Sequence, residues 1–435
     1  MNTAKIRNQE YIARYTFVLV AFAFSFFHKY TAIIWLVGFS FLYTLKYKKE
    51  GAIECLLFIA IRTVMNPELA VNIGDAGTIK WLVIFLLSFY LLISTNIKID
   101  NLILVFLIFA GYLVVSSFFV SSYPLVAMLK VVSYIIPFLA ILSGIKNTKE
   151  IQWIKRLYYI MLPLMIGSVL VIPLPLAYAR NGVALQGLFN QPNMFGILWV
   201  LFFAMYLHIK PNTVSWKFLA FIIFGFISVV LSKSRTSLFG MLLLLVLYIC
   251  MFPTSIGNRI ATLGLLMISC LLVIVISDTI LSSVIEFIYK GGDSIFSSRK
   301  GVLNRNWERF KENPLLGTGF NVPYKKGVKS YEFSFDLLTE NGNIISALLG
   351  DMGIIGTLLF VFCYGYLFRK GKNRSVCLFA APFLISMGEM VFFSTNSIAI
   401  ILYILFACYL YEEKPEENRL YETAYYGKYS VAVSG

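Results

Sequence analysis

Three arginines lie in hydrophilic segments between apolar stretches, where a guanidinium group could do chemistry. Arg235 lies in LSKSRTSLFG beside Lys233, and Arg180 lies in the loop YARNG. Arg299 lies near the start of a longer polar run. A guanidinium group is planar, stays charged at any relevant pH and binds two phosphate oxygens at once. The pattern therefore indicates binding of an anion such as a diphosphate. The alternative for Arg235 is an anchor at a membrane surface, and the loop of Arg180 is explained equally well as a tight turn.

The segment that contains Arg299, SSRKGVLNRNWERFKENP at 297–314, has the pattern of an amphipathic helix that ends at Pro314. Its apolar residues recur at helical spacing: Leu303, Trp307 and Phe310. We expect Arg299 to share their face and to point toward the rest of the protein. The opposite face is expected to be wet and carries three charged residues: Arg305, Glu308 and Arg309. An arginine that snorkels over a packed helix remains the alternative for Arg299.

The elements that must position these residues are membrane helices. Of the 435 residues 59% are hydrophobic and 14% charged, whereas soluble domains carry roughly a quarter charged residues. Apolar runs of about 17–25 residues, long enough to cross a bilayer, recur along the chain. No cleavable signal peptide is indicated. The net charge of +15 does not predict nucleic-acid binding, because basic residues cluster in short segments between apolar runs.

The apolar runs predict an all-α polytopic membrane protein with about 14 transmembrane helices (12–14) and one large extracytoplasmic loop that contains the amphipathic helix. Runs 15–27 and 31–45 form a hairpin or one long tilted span. The other predicted spans are 52–66, 79–95, 101–120, 123–143, 156–177, 193–208, 217–232, 237–252, 259–281, 341–368, 375–392 and 395–411.

Basic segments such as KYKKEG and RKGKNR then share one side, which we predict to be cytoplasmic. The chain is thereby divided into transmembrane helices 1–11 (1–281), the extracytoplasmic loop (282–340), transmembrane helices 12–14 (341–411) and a cytoplasmic tail (412–435).

Ionisable residues inside the spans suggest an outward-opening cavity with a basic lining. Lys130 lies in the outer half of its span, and three other residues lie at similar depth: Arg62, Asp278 and Glu389. Such groups usually face a protein interior or a water-filled cavity. Asn193 lies in a tight turn that follows Arg180. Glu340, where the polar run ends, is a candidate base for an acceptor hydroxyl, and helix capping is its alternative role.

Four features in order resemble the superfamily of O-antigen polymerases and O-antigen ligases. They are GLFNQPN after an external arginine, SKSRTSLFG, the run SR…W…NPLLGTGFN, and a helix in which Asp351 precedes Gly353 and Gly356. The resemblance covers approximately residues 180–360 and implies a GT-C-like membrane fold. It also implies that Arg235 and Arg299 bind the pyrophosphate of a lipid-linked glycan.

In the ligase branch of this superfamily a histidine, followed by Asn, Ser or Gln, precedes the glycines. Counting back from Gly353 places Gly342 at the histidine position, followed by Asn343. The histidine is missing here, which favours the polymerase branch and leaves Glu340 as a candidate substitute. The resemblance then implies a polymerase that joins polyprenyl-pyrophosphate-linked repeat units into O-antigen, capsule or exopolysaccharide. The reaction would take place on the outer face of the cytoplasmic membrane.

The predicted catalytic residues are Arg235, Arg299 and Glu340. Predicted substrate-binding residues are Arg180, Lys233, Lys130, Asn193, Asn343 and Asp351. No metal site and no cofactor are predicted. The expected partners are a polyprenyl-pyrophosphate-linked oligosaccharide and membrane lipid, with room for a chain-length regulator and a flippase. Two alternatives stay open: a ligase that uses another acceptor, and a transporter or flippase whose path the intramembrane charges line, although no internal repeat is visible.

Overall fold

A computed structural model describes residues 2–71, 77–97, 99–178, 180, 182–209, 216–251, 300–332, 341–371, 375–393 and 398–412. The regular elements within these ranges are all helical. They are α1 Asn2–Phe24, α2 Lys29–Ile34, α3 Ser40–Thr63, α4 Gly77–Ser94, α5 Asn101–Val120, α6 Pro124–Lys146, α7 Trp153–Leu170, α8 Pro192–Ile209, α9 Trp216–Leu231, α10 Arg235–Met251, α11 Lys300–Glu312, α12 Ile344–Lys370, α13 Val376–Ser386 and α14 Ala399–Tyr411. A π-helical turn, Trp35–Phe39, joins α2 to α3.

The helices make this a multi-pass membrane protein. Six of those described are long and apolar enough to cross a bilayer: α4, α5, α6, α7, α8 and α12. Shorter apolar helices accompany them, namely Ala13–Phe24, α9, α10, α13 and α14. The predicted span at 101–120 coincides with α5, and the predicted span at 259–281 lies outside the described residues. The total of about 14 spans stays a prediction.

The first apolar runs form separate helices and not one long tilted span. His28 caps α2 and accepts a hydrogen bond from the backbone N–H of Tyr30, so the chain turns between α1 and α2. Inside α3 the backbone breaks again at Lys48, with φ 53° and ψ −130°. Gly51 permits this reversal, because a Cβ there would lie 2.8 Å from the carbonyl oxygen of Tyr43. The segment KYKKEG therefore contains a sharp turn, which lies between the predicted apolar runs 31–45 and 52–66.

A buried cluster of charges joins α1, α3 and α7 at this end of the helices. The guanidinium groups of Arg14 and Arg156 both contact the carboxylate of Glu50. They also contact Glu54, at 2.6 Å and 3.2 Å respectively. Glu54 is fully buried and also accepts a hydrogen bond from the hydroxyl of Tyr43. We call these five residues the ion cluster. It ties the peripheral helix α1 to the bundle.

The start of α7 and the end of α14 lie at the same end as the ion cluster. Glu412, directly after α14, accepts a hydrogen bond of 3.1 Å from the backbone N–H of Ile154. Burial raises the pKa of the Glu412 carboxyl to about 7. The basic segments around 46–51 and 145–156 thus share one side of the molecule. Their location in the cytoplasm stays a prediction.

Loops at the opposite end of the bundle are joined by hydrogen bonds between distant parts of the chain. The backbone N–H of Asn66, after α3, donates to the carbonyl of Leu188 at 2.8 Å. Between α5 and α6, the hydroxyl of Ser122 donates to the carbonyl of Lys325 at 2.9 Å. Leu188 and the segment 317–330 are therefore attached at the end of the bundle where α3 and α5 end.

Replacing Glu54 by Gln should lower the free energy of unfolding by about 3–5 kcal/mol, because two buried guanidinium groups would then share only Glu50. Chemical unfolding of the protein in detergent micelles measures the change. Lys146→Met is the control, since it removes a partner from the half-exposed pair Lys146–Asp100, and such a pair contributes at most about 1 kcal/mol. Equal losses in the two variants would refute the role of the ion cluster.

Candidate functional site

Helix α11 is the predicted amphipathic helix, and it lies against α12 with its polar side. Asn306 and Arg309 are buried, whereas Trp307 is 51% exposed. The prediction that Arg309 lies on a wet face is therefore wrong. The surface that α11 covers is polar. Asn306 and Arg309 are buried against it because their side chains can form hydrogen bonds with its polar groups.

Arg309 is the centre of a buried network that we call the clamp, with Asp351, Asn341, Thr318 and Asn321. Its Nη2 lies 2.6 Å from Oδ1 of Asp351, and both side chains are 3% exposed or less. Its Nε donates to Oγ1 of Thr318 at 2.8 Å. Oδ2 of Asp351 accepts hydrogen bonds from Nδ2 of Asn341 at 3.0 Å and from the backbone N–H of Asn321 at 3.1 Å. Both charges are thus paired and hydrogen-bonded, as buried charges require.

Two glycines let the segment NPLLGTGFN approach α12 closely enough to form the clamp. Gly353 has φ 65° and interrupts α12, and a Cβ there would lie 2.4 Å from the carbonyl oxygen of Leu315. Gly317 has φ 73°, and its Cβ would lie 2.5 Å from the carbonyl oxygen of Asp351. Only glycine adopts such a backbone without strain. The close packing of the segment NPLLGTGFN against α12 therefore explains why Gly353 follows two residues after Asp351.

A second group of polar residues surrounds the segment 387–389, directly after α13. Asn193, in the first turn of α8, donates a hydrogen bond from Nδ2 to the carboxylate of Glu389. Asn343 is the N-cap of α12, and its Nδ2 donates to the carbonyl of Met387 at 2.8 Å. Two helix N-termini that are 150 residues apart in the sequence thus contact one short segment.

The first turn of α10 reaches the same segment. Gly388 lies so close to Thr236 that a Cβ would be 2.0 Å from Oγ1 of Thr236. Arg235, the first residue of α10, is half-buried. Helix α8 packs on this turn, since a Cβ on Gly196 would lie 2.6 Å from Oγ of Ser237. We call the resulting group the helix-start cluster: Asn193, Arg235, Thr236, Asn343 and 387–389.

The helix-start cluster brings the partial positive charges of three helix N-termini together. Each helix N-terminus carries a partial positive charge, and at α12 the side chain of Asn343 accepts hydrogen bonds from the backbone N–H groups of Ile345 and Ser346. Three helix N-termini meet here, those of α8, α10 and α12. Arg235 is the first residue of α10, and helix N-termini can bind phosphate. The carboxylate of Glu389 adds a hydrogen-bond acceptor and a negative charge to the same segment. Among the described residues, no three His, Cys, Asp or Glu side chains are grouped so that they could hold a metal ion.

The structure places the other predicted site residues at different points. Lys233 is exposed and lies in the turn before α10, with φ 53°. Arg180 is exposed, and its backbone N–H donates to Oε1 of Gln186 at 3.3 Å. Lys130, on α6, is half-buried and is attracted electrostatically to Asp351, so it lies beside the clamp. Asp351 itself holds the clamp together.

Arg299 and Glu340 lie outside the described residues, so their roles stay predictions. Arg299 directly precedes α11 in the sequence, and Glu340 directly precedes the clamp residue Asn341. Glu389 has no assigned role in the sequence analysis beyond its depth in the membrane. Its partner Asn193 lies 196 residues away, and no local pattern indicates that contact.

One known protein family matches the region of the chain that contains the clamp. Residues 218–361 match the family model Wzy_C, described as O-antigen ligase. The match covers about a third of the chain and contains Arg235, α11 and the clamp. It supports the superfamily of O-antigen ligases and related polymerases without separating these two branches. No curated protein and no solved structure matches the chain significantly.

In this Wzy_C region, Arg309→Met should lower the free energy of unfolding by about 3–5 kcal/mol, because it leaves the carboxylate of Asp351 buried without its guanidinium partner. Hydrogen exchange should also become faster in the segment 314–322. Arg305→Met, on the exposed side of α11, is the matched control and should change stability by about 0.5 kcal/mol at most.

A second variant tests whether the loss of stability comes from the unpaired charge of Asp351 or from the loss of the Arg309 side chain itself. Arg309→Met combined with Asp351→Leu removes both charges, and it should be more stable than Arg309→Met alone. If the two variants are equally unstable, the buried charge is not the cause of the loss.

Proposed function

We propose that the chain is a glycosyltransferase that polymerises polyprenyl-pyrophosphate-linked oligosaccharide repeat units. The observation that carries this proposal is the helix-start cluster, in which three helix N-termini and Arg235 meet around one segment. A diphosphate is the ligand chemistry that such a concentration of positive charge favours. The Wzy_C match across α10 to α12 supports the same class of reaction.

In the proposed reaction the pyrophosphate is the leaving group. The hydroxyl oxygen of the acceptor sugar forms a bond to the anomeric carbon of the donor glycan while the bond from that carbon to the pyrophosphate oxygen breaks. Arg235, the helix N-termini and Arg299 would stabilise the negative charge that builds on the pyrophosphate. The polyprenyl pyrophosphate leaves with that charge, so the described residues need to supply little chemistry beyond positioning.

The proton of the acceptor hydroxyl needs a base. Glu389 is a candidate because its carboxylate lies at the helix-start cluster and is oriented by the amide of Asn193. Glu340 remains the candidate from the sequence. The lipid-linked glycan would be the donor of the glycosyl group. A second lipid-linked repeat unit would be the acceptor.

We propose that helix α11 acts as a lid for this site. The clamp holds Arg309 against Asp351, and Asn306 donates to the carbonyl of Asn341 at 2.8 Å. These contacts fix α11 along the start of α12, where Asn343 caps the helix. Arg299 is the residue before α11, so the same contacts would hold its guanidinium group near the donor pyrophosphate.

The proposal puts the helix-start cluster on the outer face of the cytoplasmic membrane. The buried ion cluster and the basic segments lie at the opposite end of the helices, as the positive-inside rule requires for that orientation. Arg180 and Lys233, which are exposed at the outer end, would then meet the glycan or its phosphates. A flippase and a chain-length regulator are further proposed partners.

Arg235→Ala should reduce polymer formation by about 10²–10³-fold, because it removes a donor from the charge that develops in the transition state. Arg235→Lys should restore little of the activity if the contact is bidentate. Arg369→Ala, an exposed arginine at the other end of α12, is the control and should leave the activity unchanged. Normal polymer from Arg235→Ala in membranes would remove the proposed role.

The ligase alternative differs only in its acceptor. Purified protein that is given lipid-linked repeat units and no other acceptor should lengthen the glycan, which gel electrophoresis of the products resolves. A ligase would leave the repeat units unchanged until a different acceptor is added. A transporter or flippase would form no glycosidic bond under either condition.

A further inference from the structure

A large cavity lies between α1, α3 and α7, at the end of the helices opposite to the helix-start cluster. Its volume is about 1300 Å³, which exceeds the 300–1,000 Å³ that is usual for small-molecule sites. One end is lined by charged residues and the remainder by apolar residues such as Val18, Phe58 and Leu164. A ligand that fits this lining has a charged head and a long apolar part.

The cavity opens sideways to the surface that faces lipid. Leu19 of α1 and Tyr159 of α7 both line it, and they are 61% and 58% exposed. Both residues lie in apolar helices. Its ligand would therefore enter from the bilayer and not from water.

The depth of the cavity corresponds to one leaflet. Along α7 the lining runs from Gln152 to Leu164, a distance of about 18 Å at 1.5 Å per residue. The hydrocarbon core of a bilayer is about 30 Å thick, so one leaflet contributes about half of that. A phospholipid with its head at the charged end would fill this depth.

The charges at the head end are of both signs. Arg156 and Glu50 belong to the ion cluster and are paired with each other. Lys155 and Glu150 also line the cavity, lie outside that cluster and are exposed. A head group with one phosphate and one ammonium complements both Lys155 and Glu150, whereas a purely anionic head group would pair with Lys155 and leave Glu150 without a cationic partner from the lipid.

We propose that this cavity binds a zwitterionic phospholipid of the phosphatidylethanolamine type from the leaflet at the ion-cluster end. Its phosphate would lie near Lys155 and its ammonium near Glu150, and one acyl chain would lie between α1 and α7. The site does not depend on the proposed glycosyl transfer, because it lies at the other end of the helices.

Native mass spectrometry of the full-length protein in detergent, supplied with phosphatidylethanolamine or phosphatidylglycerol, tests the proposal. Phosphatidylethanolamine should be retained about threefold better, which is the scale of an exposed ion pair. Leu19→Trp should fill the mouth and weaken retention roughly tenfold, since apolar chain contacts are lost. Val20→Trp, at the next, equally exposed position outside the lining, should have no effect.

The head group is tested by a second matched pair. Lys155→Glu should abolish the preference for phosphatidylethanolamine, whereas Lys149→Glu, exposed but outside the lining, should preserve it. Equal retention in Leu19→Trp and Val20→Trp would overturn the site. Better retention of phosphatidylglycerol, or a retained lipid with the mass of a polyprenyl phosphate, would overturn the assignment of the ligand.

Discussion

The ion pair between Arg309 and Asp351 is the interaction on which the end of the described structure opposite to the ion cluster depends. Two charges buried at 3% exposure or less are tolerated only where they meet each other and further hydrogen-bond partners. Those partners come from three places in the chain: α11, the segment after it, and the start of α12. Satisfying the pair therefore determines how all three lie against one another. The broken turn at Gly353 exists because the segment NPLLGTGFN must pass close to it.

The position of the helix starts follows from this arrangement together with the packing of α8 on α10. Asn343 lies eight residues before Asp351 and so is held in place by the same helix. Asn343 contacts Met387 in the segment 387–389. In the same segment Glu389 contacts Asn193 of α8, and Gly388 lies against Thr236 of α10. Three helix N-termini, each with a partial positive charge, thus meet at one end of the bundle around the segment that carries Glu389.

Much of the helical layout could be predicted from the sequence, because apolar length is a local property. The span 101–120 is an example, since it does not depend on distant contacts. The buried face of α11 could not be predicted in this way. Its apolar stripe suggested one face, but Arg309 is buried by a carboxylate 42 residues further along the chain. The contact between Asn193 and Glu389 was likewise beyond local reasoning.

A structure of the protein with a bound polyprenyl pyrophosphate tests the central claim most directly, because the proposed function requires the diphosphate to lie at the helix-start cluster. We expect phosphate oxygens within hydrogen-bond distance of the guanidinium group of Arg235 and of backbone N–H groups at the start of α8, α10 or α12. A diphosphate bound at the ion-cluster end, or away from Arg235, would contradict the account.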